Sequence, residues 1–203
     1  MIALVNYGLG NILAFANIYR RLNVPVVVAD TADMLAQADK IILPGVGSFD
    51  WAMSRLNESG MRACLDELVL GQHRPVLGIC VGMQMMARRS EEGKLSGLGW
   101  IDGEVKKFDE AAFAQQTHFP HMGWNDVIPR RTDSIFKSME SPRFYFLHSY
   151  HFSTKNPEDV LAVTDYSGPF VSSIRSGNIF GAQFHPEKSH RWGIQLLKNF
   201  AEL

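Results

Sequence analysis

The segment that decides the fold is an apolar run followed by a glycine-flanked cysteine, Val76-Leu77-Gly78-Ile79-Cys80-Val81-Gly82-Met83-Gln84. Its first half has the composition of a buried β-strand, and a helix is expected after the cysteine. The turn between them is so tight that side chains on both sides would meet backbone, which explains Gly78 and Gly82. Cys80 then projects above the sheet at a helix N-terminus, where the dipole favours the thiolate. The pattern predicts a nucleophile elbow with sulfur as nucleophile.

A thiolate nucleophile needs a base, and His185 is the best placed of the 7 histidines. It follows an apolar, strand-like run and precedes Pro186, which restricts the local turn. Glu187 comes next and can reach back to orient the imidazole. Cys80, His185 and Glu187 are therefore the predicted nucleophile, base and orienting carboxylate.

A glycine-rich segment, Pro44-Gly45-Val46-Gly47, ends another apolar run. Glycines at the carboxyl end of a parallel strand let backbone amides approach a ligand closely. Such amides can stabilise a developing oxyanion, so this segment is the predicted oxyanion loop.

The first half of the chain alternates apolar runs, at residues 2–7, 24–29, 40–43 and 75–80, with amphipathic segments. This alternation predicts a parallel sheet with helices on both faces. Helices are expected from Ile12 to Leu22, around Met34 with Asp30 and Thr31 as candidate caps, from Met61 to Leu70 and from Met83 to about Ser90. On the third of these, Cys64 has the spacing of a core residue.

The second half has shorter strand-like runs between turn residues, at 100–108, 144–153, 160–166, 171–175 and 179–184, followed by a helix that Ser189 caps. These runs favour antiparallel additions to the sheet. The chain contains no linker or repeat, so residues 1–203 are expected to form one α/β domain.

Composition excludes several classes of protein. The 203 residues carry 20 basic and 21 acidic side chains, for a net charge of −1, which is unlike a general nucleic-acid binder. No run approaches the roughly 18 apolar residues of a membrane span, and the N-terminus lacks the basic region of a signal peptide. We therefore expect a cytoplasmic protein without a disulfide.

Two further patterns do not amount to cofactor or metal sites. Gly8-Leu9-Gly10 imitates a dinucleotide fingerprint, but Leu13 stands where the third glycine belongs. The histidine pairs 118/121 and 148/151 have a spacing that points to opposite faces of a strand. No cofactor and no metal are predicted.

Several motifs together resemble the triad-type class I glutamine amidotransferases over essentially the whole chain. They are Pro44-Gly45-Val46-Gly47, the segment around Cys80 and His185-Pro186-Glu187-Lys188. Within that family, Ser90-Glu91-Glu92-Gly93, Pro120-His121-Met122-Gly123-Trp124-Asn125 and His148-Ser149-Tyr150 are similar to the glutaminase subunits of imidazole glycerol phosphate synthase.

The resemblance implies a flavodoxin-like domain that hydrolyses L-glutamine through a thioester on Cys80, with His185 as base and Glu187 as its orienting partner. It also implies that the amides of Val46 and Val81 stabilise the oxyanion. The positions that would contact glutamine are Gly45, Gly47, Gln84, Glu92, Ser149 and Tyr150.

The resemblance further implies a (β/α)8-barrel cyclase partner that receives the ammonia in a heterodimer. The positions that match the docking face are Asn11, Met122, Trp124 and Lys188. By residue type alone, Met122 and Trp124 are more often core residues.

Five residues depart from the family pattern, namely Asn6, Arg88, Arg89, His118 and Phe119. They leave open a paralogous subunit that supplies ammonia to a surface-polysaccharide pathway. The sequence is also compatible with a free-standing cysteine hydrolase or with a non-catalytic module. Glu92, Ser149 and Tyr150 favour an amino-acid substrate over the hydrolase, and the intact Cys80, His185 and Glu187 disfavour the module.

Overall fold

The computed structural model describes residues 1–109, 119–131 and 134–203. His118, one of the histidines considered above, lies outside these residues. The described part contains thirteen strands in two sheets. In chain order they are β1 Ile2–Val5, β2 Val26–Ala29, β3 Lys40–Gly45, β4 Val76–Cys80, β5 Arg89–Ser90, β6 Gly103–Lys107, β7 His121–Asp126, β8 Ile128–Pro129, β9 Arg143–His148, β10 Tyr150–Thr154, β11 Val160–Asp165, β12 Pro169–Ser176 and β13 Ile179–Ala182.

Six α-helices lie in the described ranges: α1 Ile12–Arg21, α2 Ala32–Ala36, α3 Phe49–Glu58, α4 Arg62–Asp66, α5 Val81–Gln84 and α6 His190–Ala201. A π-helical turn, Glu67–Gly71, continues α4. The predicted crossover helices are confirmed as α1 and α2, and the Thr31 hydroxyl accepts a hydrogen bond from the Met34 amide as a cap.

The centre of the large sheet is five parallel strands in the order β2-β1-β3-β4-β13. Every residue of β1, β4 and β13 is buried, as expected of strands that helices cover on both faces. This order is that of the flavodoxin-like fold, in which ligands bind at the carboxyl ends of the strands. Here β3, β4 and β13 bring the oxyanion loop, Cys80 and the segment before His185 to one edge.

Antiparallel strands extend the sheet beyond β13 through β12, β10 and β6, and a separate antiparallel pair, β7 and β9, lies beside it. The pair has two faces. His121, Phe144, Phe146 and His148 point inward and are buried. The fold prediction, a mostly parallel sheet with later antiparallel strands, is confirmed.

Three local predictions are wrong. The helix expected from Met83 to Ser90 is only the single turn α5, because Met83, Met85 and Met86 are buried on all sides rather than along one stripe. The run 144–153 breaks at Ser149 into β9 and β10, which belong to different sheets. The Ser189 hydroxyl precedes α6 but donates to the His185 carbonyl instead of capping.

Candidate active site

The backbone at Cys80 has the conformation of a nucleophile elbow. Its φ and ψ are 55° and −114°, a region that L-residues rarely adopt. The elbow depends on Gly82, where an added Cβ would lie 1.9 Å from the Leu43 carbonyl oxygen. The glycine therefore lets α5 press against the end of β3, next to the oxyanion loop.

The Cys80 thiol is 4% exposed and has polar neighbours from two other elements. Its Sγ lies 3.8 Å from Nε2 of Gln183, which follows β13, and 3.9 Å from the carbonyl oxygen of Leu147 on β9. The Gln183 amide donates toward the sulfur, so it can stabilise negative charge there. The helix that begins after Cys80 is a single turn, so its dipole is weaker than a longer helix would supply, and the Gln183 amide is a second source of stabilisation for the thiolate.

His185 and Glu187 form a buried pair at the end of β13. Nδ1 of His185 lies 3.0 Å from Oε1 of Glu187, and both side chains are almost wholly buried. Burial lowers the pKa of His185, but the neighbouring Cys80 and Glu187 outweigh it and raise this pKa to about 10. Within the described residues, Nε2 of His185 has no hydrogen-bond partner. The second ring nitrogen is thus available for a proton transfer.

Cys80 and His185 share one pocket of about 310 Å³ at the carboxyl ends of the strands. The lining residues are Val46, Gly47, Cys80, Val81, Gln84, Glu92, Pro120, Leu147, His148, Ser149, Tyr150, His185 and Lys188. The structure thus brings together the predicted nucleophile, base, oxyanion residues and all predicted ligand-binding residues except Gly45. Gly45 lies behind the wall of this pocket, packed so closely that an added Cβ would lie 2.4 Å from the amide nitrogen of Gly82.

Two of the lining side chains also hold the walls together. Nε2 of Gln84 donates to the Tyr150 carbonyl oxygen at 3.1 Å and to Oε1 of Gln183 at 3.0 Å. Oε2 of Glu92 accepts from the amide of Phe49 at 2.8 Å and so caps α3. Both predicted ligand-binding side chains are therefore pre-organised by the protein itself.

The oxyanion loop is held at its base and open at its tip. The Tyr7 hydroxyl, buried behind the pocket, donates to the Pro44 carbonyl oxygen at 2.6 Å. Val46 is 39% exposed and Gly47 has a φ of 83°, which suits glycine. The backbone can therefore rotate beyond Gly45 while Pro44 stays in place.

No functional role was predicted from the sequence for Gln183, Leu147 or Tyr7, and His148 was considered only within a motif and within a rejected metal pair. Leu147 acts through its backbone, which leaves no signal in the residue type. Gln183 is a fully buried amide between two apolar residues, and an uncharged polar residue in a buried strand end is itself a signal for a polar partner.

The four residues predicted for a docking face are all exposed. Met122 and Trp124 are 64% and 42% exposed, so their interpretation as core residues is wrong. They share one face of the β7–β9 pair with Tyr145 and Leu147, and we call these four residues the outer face. Lys188 lies at the edge of the outer face, with its Nζ 5.7 Å from the centroid of the Tyr145 ring. Asn11 is exposed at the start of α1.

Of the departures from the family pattern, those at Asn6, Arg88 and Arg89 do not line this pocket. Asn6 bonds to Asp30 at 2.5 Å, whereas Arg88 and Arg89 pair with Asp102 and Glu104 on the surface. In the described part of the chain, no group of three or more His, Cys, Asp or Glu side chains could hold a metal ion. Across the same residues, no helix has the length and apolar character needed to cross a membrane.

Known proteins match this chain over nearly its whole length. The family model for glutamine amidotransferase class-I matches residues 3–203. An imidazole glycerol phosphate synthase subunit HisH from Bdellovibrio bacteriovorus is 57% identical over 100% of both chains. The subunit of that name from Leptospira interrogans is 49% identical, again over 100% of both.

The fold also matches solved structures. PurLQS from Thermotoga maritima superposes with a TM-score of 0.71 at 17% identity, covering 99% of this chain and 97% of that one. At that identity the likeness concerns the fold alone. The sequence relatives and the family model extend over the whole pocket, and on that ground this chain belongs to the class I glutamine amidotransferase family.

Proposed function

We propose that this chain is the glutaminase subunit of an imidazole glycerol phosphate synthase, which hydrolyses L-glutamine and hands the ammonia to a cyclase partner for histidine biosynthesis. The observation that carries the proposal is the single pocket that holds Cys80 at an elbow, His185 paired with Glu187, and an oxyanion loop. The full-length relatives named as HisH subunits support the choice of pathway.

The first half-reaction forms a thioester. Cys80 Sγ, as the thiolate, attacks the side-chain amide carbon of glutamine. The amides of Val46 and Val81 stabilise the resulting oxyanion, and His185 gives its Nε2 proton to the departing nitrogen. The carbon–nitrogen bond breaks, ammonia leaves, and a glutamyl thioester stays on Cys80.

The second half-reaction releases glutamate. Neutral His185 takes a proton from water as the oxygen attacks the thioester carbon, and the carbon–sulfur bond then breaks. Glu187 holds the imidazole through Nδ1 and stabilises its charged form, which agrees with the raised pKa of His185. Glu92, Ser149, Tyr150 and Gln84 bind the ammonium and carboxylate ends of glutamine.

The experiment that tests this function is a glutaminase assay of the purified chain, with and without a (β/α)8-barrel cyclase subunit of imidazole glycerol phosphate synthase. We expect release of glutamate in the complex, together with the cyclase product. No glutamate release with any cyclase would overturn the proposal. Glutamate release with a sugar-amidating synthase, but not with the cyclase, would support the paralogous polysaccharide pathway instead.

We further propose that the outer face, with Lys188 and Asn11, binds the cyclase partner. An exposed methionine, tryptophan and leucine, with a half-buried tyrosine beside a cation, have the composition of an interface core and its rim. The face adjoins the pocket, because Leu147 belongs to both and Lys188, which lines the pocket, lies beside Tyr145 at the edge of the face. Ammonia released at Cys80 would thus leave toward the partner.

Trp124→Ala and Lys188→Ala should weaken partner binding or uncouple glutamine hydrolysis from product formation. Because both side chains are exposed, the melting temperature of the isolated chain should change little. Binding is measured by titration calorimetry, and coupling by the ratio of glutamate to cyclase product. Leu70→Ala is the matched control, since Leu70 is 48% exposed and precedes β4, at the opposite end of that strand from Cys80.

The result that would contradict this placement is a Trp124→Ala chain that loses roughly 3 to 5 kcal/mol of stability, as for a core aromatic, with normal coupling in its complex.

Tyr7→Phe should lower kcat of the complex and leave KM for glutamine nearly unchanged. The hydroxyl fixes the Pro44 carbonyl at the base of the oxyanion loop. The hydrogen bond from Tyr7 to Pro44 contributes a net stabilisation of about 1 kcal/mol, and losing it corresponds to about a fivefold loss in kcat. Tyr19→Phe is the control, because the buried Tyr19 hydroxyl has no hydrogen-bond partner within the described ranges. Equal kcat values for the two variants would contradict this role of the Tyr7 hydroxyl.

A further inference from the structure

A continuous chain of hydrogen bonds crosses the interior of the β7–β9 pair. Nδ1 of His121 on β7 lies 2.9 Å from Nε2 of His148 on β9, and Nδ1 of His148 lies 2.8 Å from the Tyr150 carbonyl oxygen. At the other end, Nδ2 of Asn125 lies 3.2 Å from Nε2 of His121 and donates to the Asp165 carbonyl oxygen at 2.8 Å.

These partners define the proton on each ring. A carbonyl oxygen can only accept, so Nδ1 of His148 carries the hydrogen that it donates to Tyr150. Burial lowers the pKa of His148 to about 3 and that of His121 to about 4, so both rings are neutral at pH 7. Neutral His148 then accepts at Nε2 from the Nδ1 hydrogen of His121, whose own Nε2 accepts from Asn125.

The same chain continues to the nucleophile. The Tyr150 carbonyl oxygen accepts a second hydrogen bond, from Nε2 of Gln84. That nitrogen also donates to Gln183, whose own amide nitrogen lies 3.8 Å from Cys80 Sγ. Both of these hydrogen bonds are donated by Nε2 of Gln84, so the Oε1 of the same side chain takes part in neither and can accept a hydrogen bond from a ligand ammonium group.

The ring of His121 is also held by packing. It stacks between the rings of Phe146 and Tyr166, with centroids 4.7 Å and 3.9 Å away. Its backbone neighbour Met122 points the other way, into the outer face. The strand that carries one end of the chain of hydrogen bonds therefore also carries the surface proposed to contact the partner.

We propose that His121 and His148 are positioning residues of the glutaminase site. As a pair of rings with fixed tautomers, they hold the Tyr150 carbonyl in place, so that Tyr150 and Gln84 present their glutamine-binding groups. The same pair connects this edge of the pocket to strand β7. The inference rests on the proposed function, because it assigns glutamine to that edge. Neither histidine touches the reacting atoms.

The direct test compares His121→Phe with His121→Asn in the complex with the cyclase. Phenylalanine keeps the ring stack but leaves Nε2 of His148 without its donor, whereas the asparagine amide can occupy the place of Nδ1 and donate. We expect about a tenfold rise in KM for glutamine with His121→Phe, a change in kcat of less than about threefold, and near-normal KM with His121→Asn.

The matched control is His151→Phe. His151 is a half-buried histidine whose ring also packs on an aromatic ring, with its centroid 4.7 Å from that of Phe108, but it does not belong to the Gln84–Tyr150 network. Its variant should keep the normal KM. An unchanged KM in His121→Phe, or equal KM values for His121→Phe and His121→Asn, would overturn the inference.

A second measurement does not depend on activity or on the folding of variants. Nitrogen NMR of the histidine rings in the unmodified chain should show the hydrogen on Nδ1 in both His121 and His148. A ring that is protonated on Nε2, or charged at neutral pH, in either residue would overturn the proposed pair of tautomers. If the wild-type complex releases no glutamate, the proposed function fails, while the NMR result still decides whether the tautomer pair exists.

Discussion

Cys80→Ala should abolish glutamine hydrolysis in the complex, with a loss in kcat on the order of 10⁴-fold or more. The sulfur supplies the bond that divides the reaction into two steps, and the other pocket groups cannot replace it. The fold and the binding of glutamine should remain, because alanine fits the elbow as a smaller side chain. Calorimetry of glutamine binding and a steady-state assay check both parts.

The second thiol provides the control for this substitution. Cys64 is half-buried, and its Sγ contacts the Ala32 carbonyl oxygen rather than the pocket. Cys64→Ala should therefore keep normal activity. Glu187→Gln should fall between the two variants, since a lost orienting group costs less than a lost nucleophile. Full activity of Cys80→Ala, or labelling of Cys64 by a glutamine-analogue electrophile, would contradict the assignment.

The second large effect concerns the partner. We expect the isolated chain to hydrolyse almost no glutamine. The complex loaded with the acceptor ligand should hydrolyse it roughly 10²- to 10³-fold faster, which is the rate effect of one oxyanion donor. The reason is the oxyanion loop, in which Tyr7 holds Pro44 but Gly47 leaves the Val46 amide free to turn. Glutamate release is measured with the chain alone, with partner and with partner plus ligand.

Two results would contradict this account of activation. One is full turnover by the chain alone. The other is a crystal structure of the free chain in which the Val46 amide already faces Cys80. A Gly47→Ala variant adds a third check, because alanine is strained at the observed φ of 83°, and this variant should show a smaller activation by the loaded partner.

The parts of this molecule that the sequence predicted well are those with a local chemical signature. The Gly78-to-Gly82 segment needs its glycines for a tight turn, and each added Cβ would indeed meet backbone within 3 Å. The run before His185 is apolar because β13 is a central strand. Such requirements act within a few residues, so residue types alone reveal them.

The parts that the sequence did not predict depend on distant segments. His121 and His148 are 27 residues apart, and their bond exists only because β7 pairs with β9. Gln183 and Cys80 are 103 residues apart and meet through the parallel neighbours β13 and β4. The helix after Met83 was overestimated for a related reason, since full burial removes the periodicity that distinguishes a helix from an irregular segment.

The central claim is that Cys80 carries the glutamyl group, and mass spectrometry of the complex quenched in acid during turnover tests it most directly. We expect an adduct with the mass of a glutamyl thioester on the peptide that contains Cys80, absent in Cys80→Ala and present in Cys64→Ala. An active complex whose adduct lies on another residue, or which turns over glutamine normally without Cys80, would contradict it.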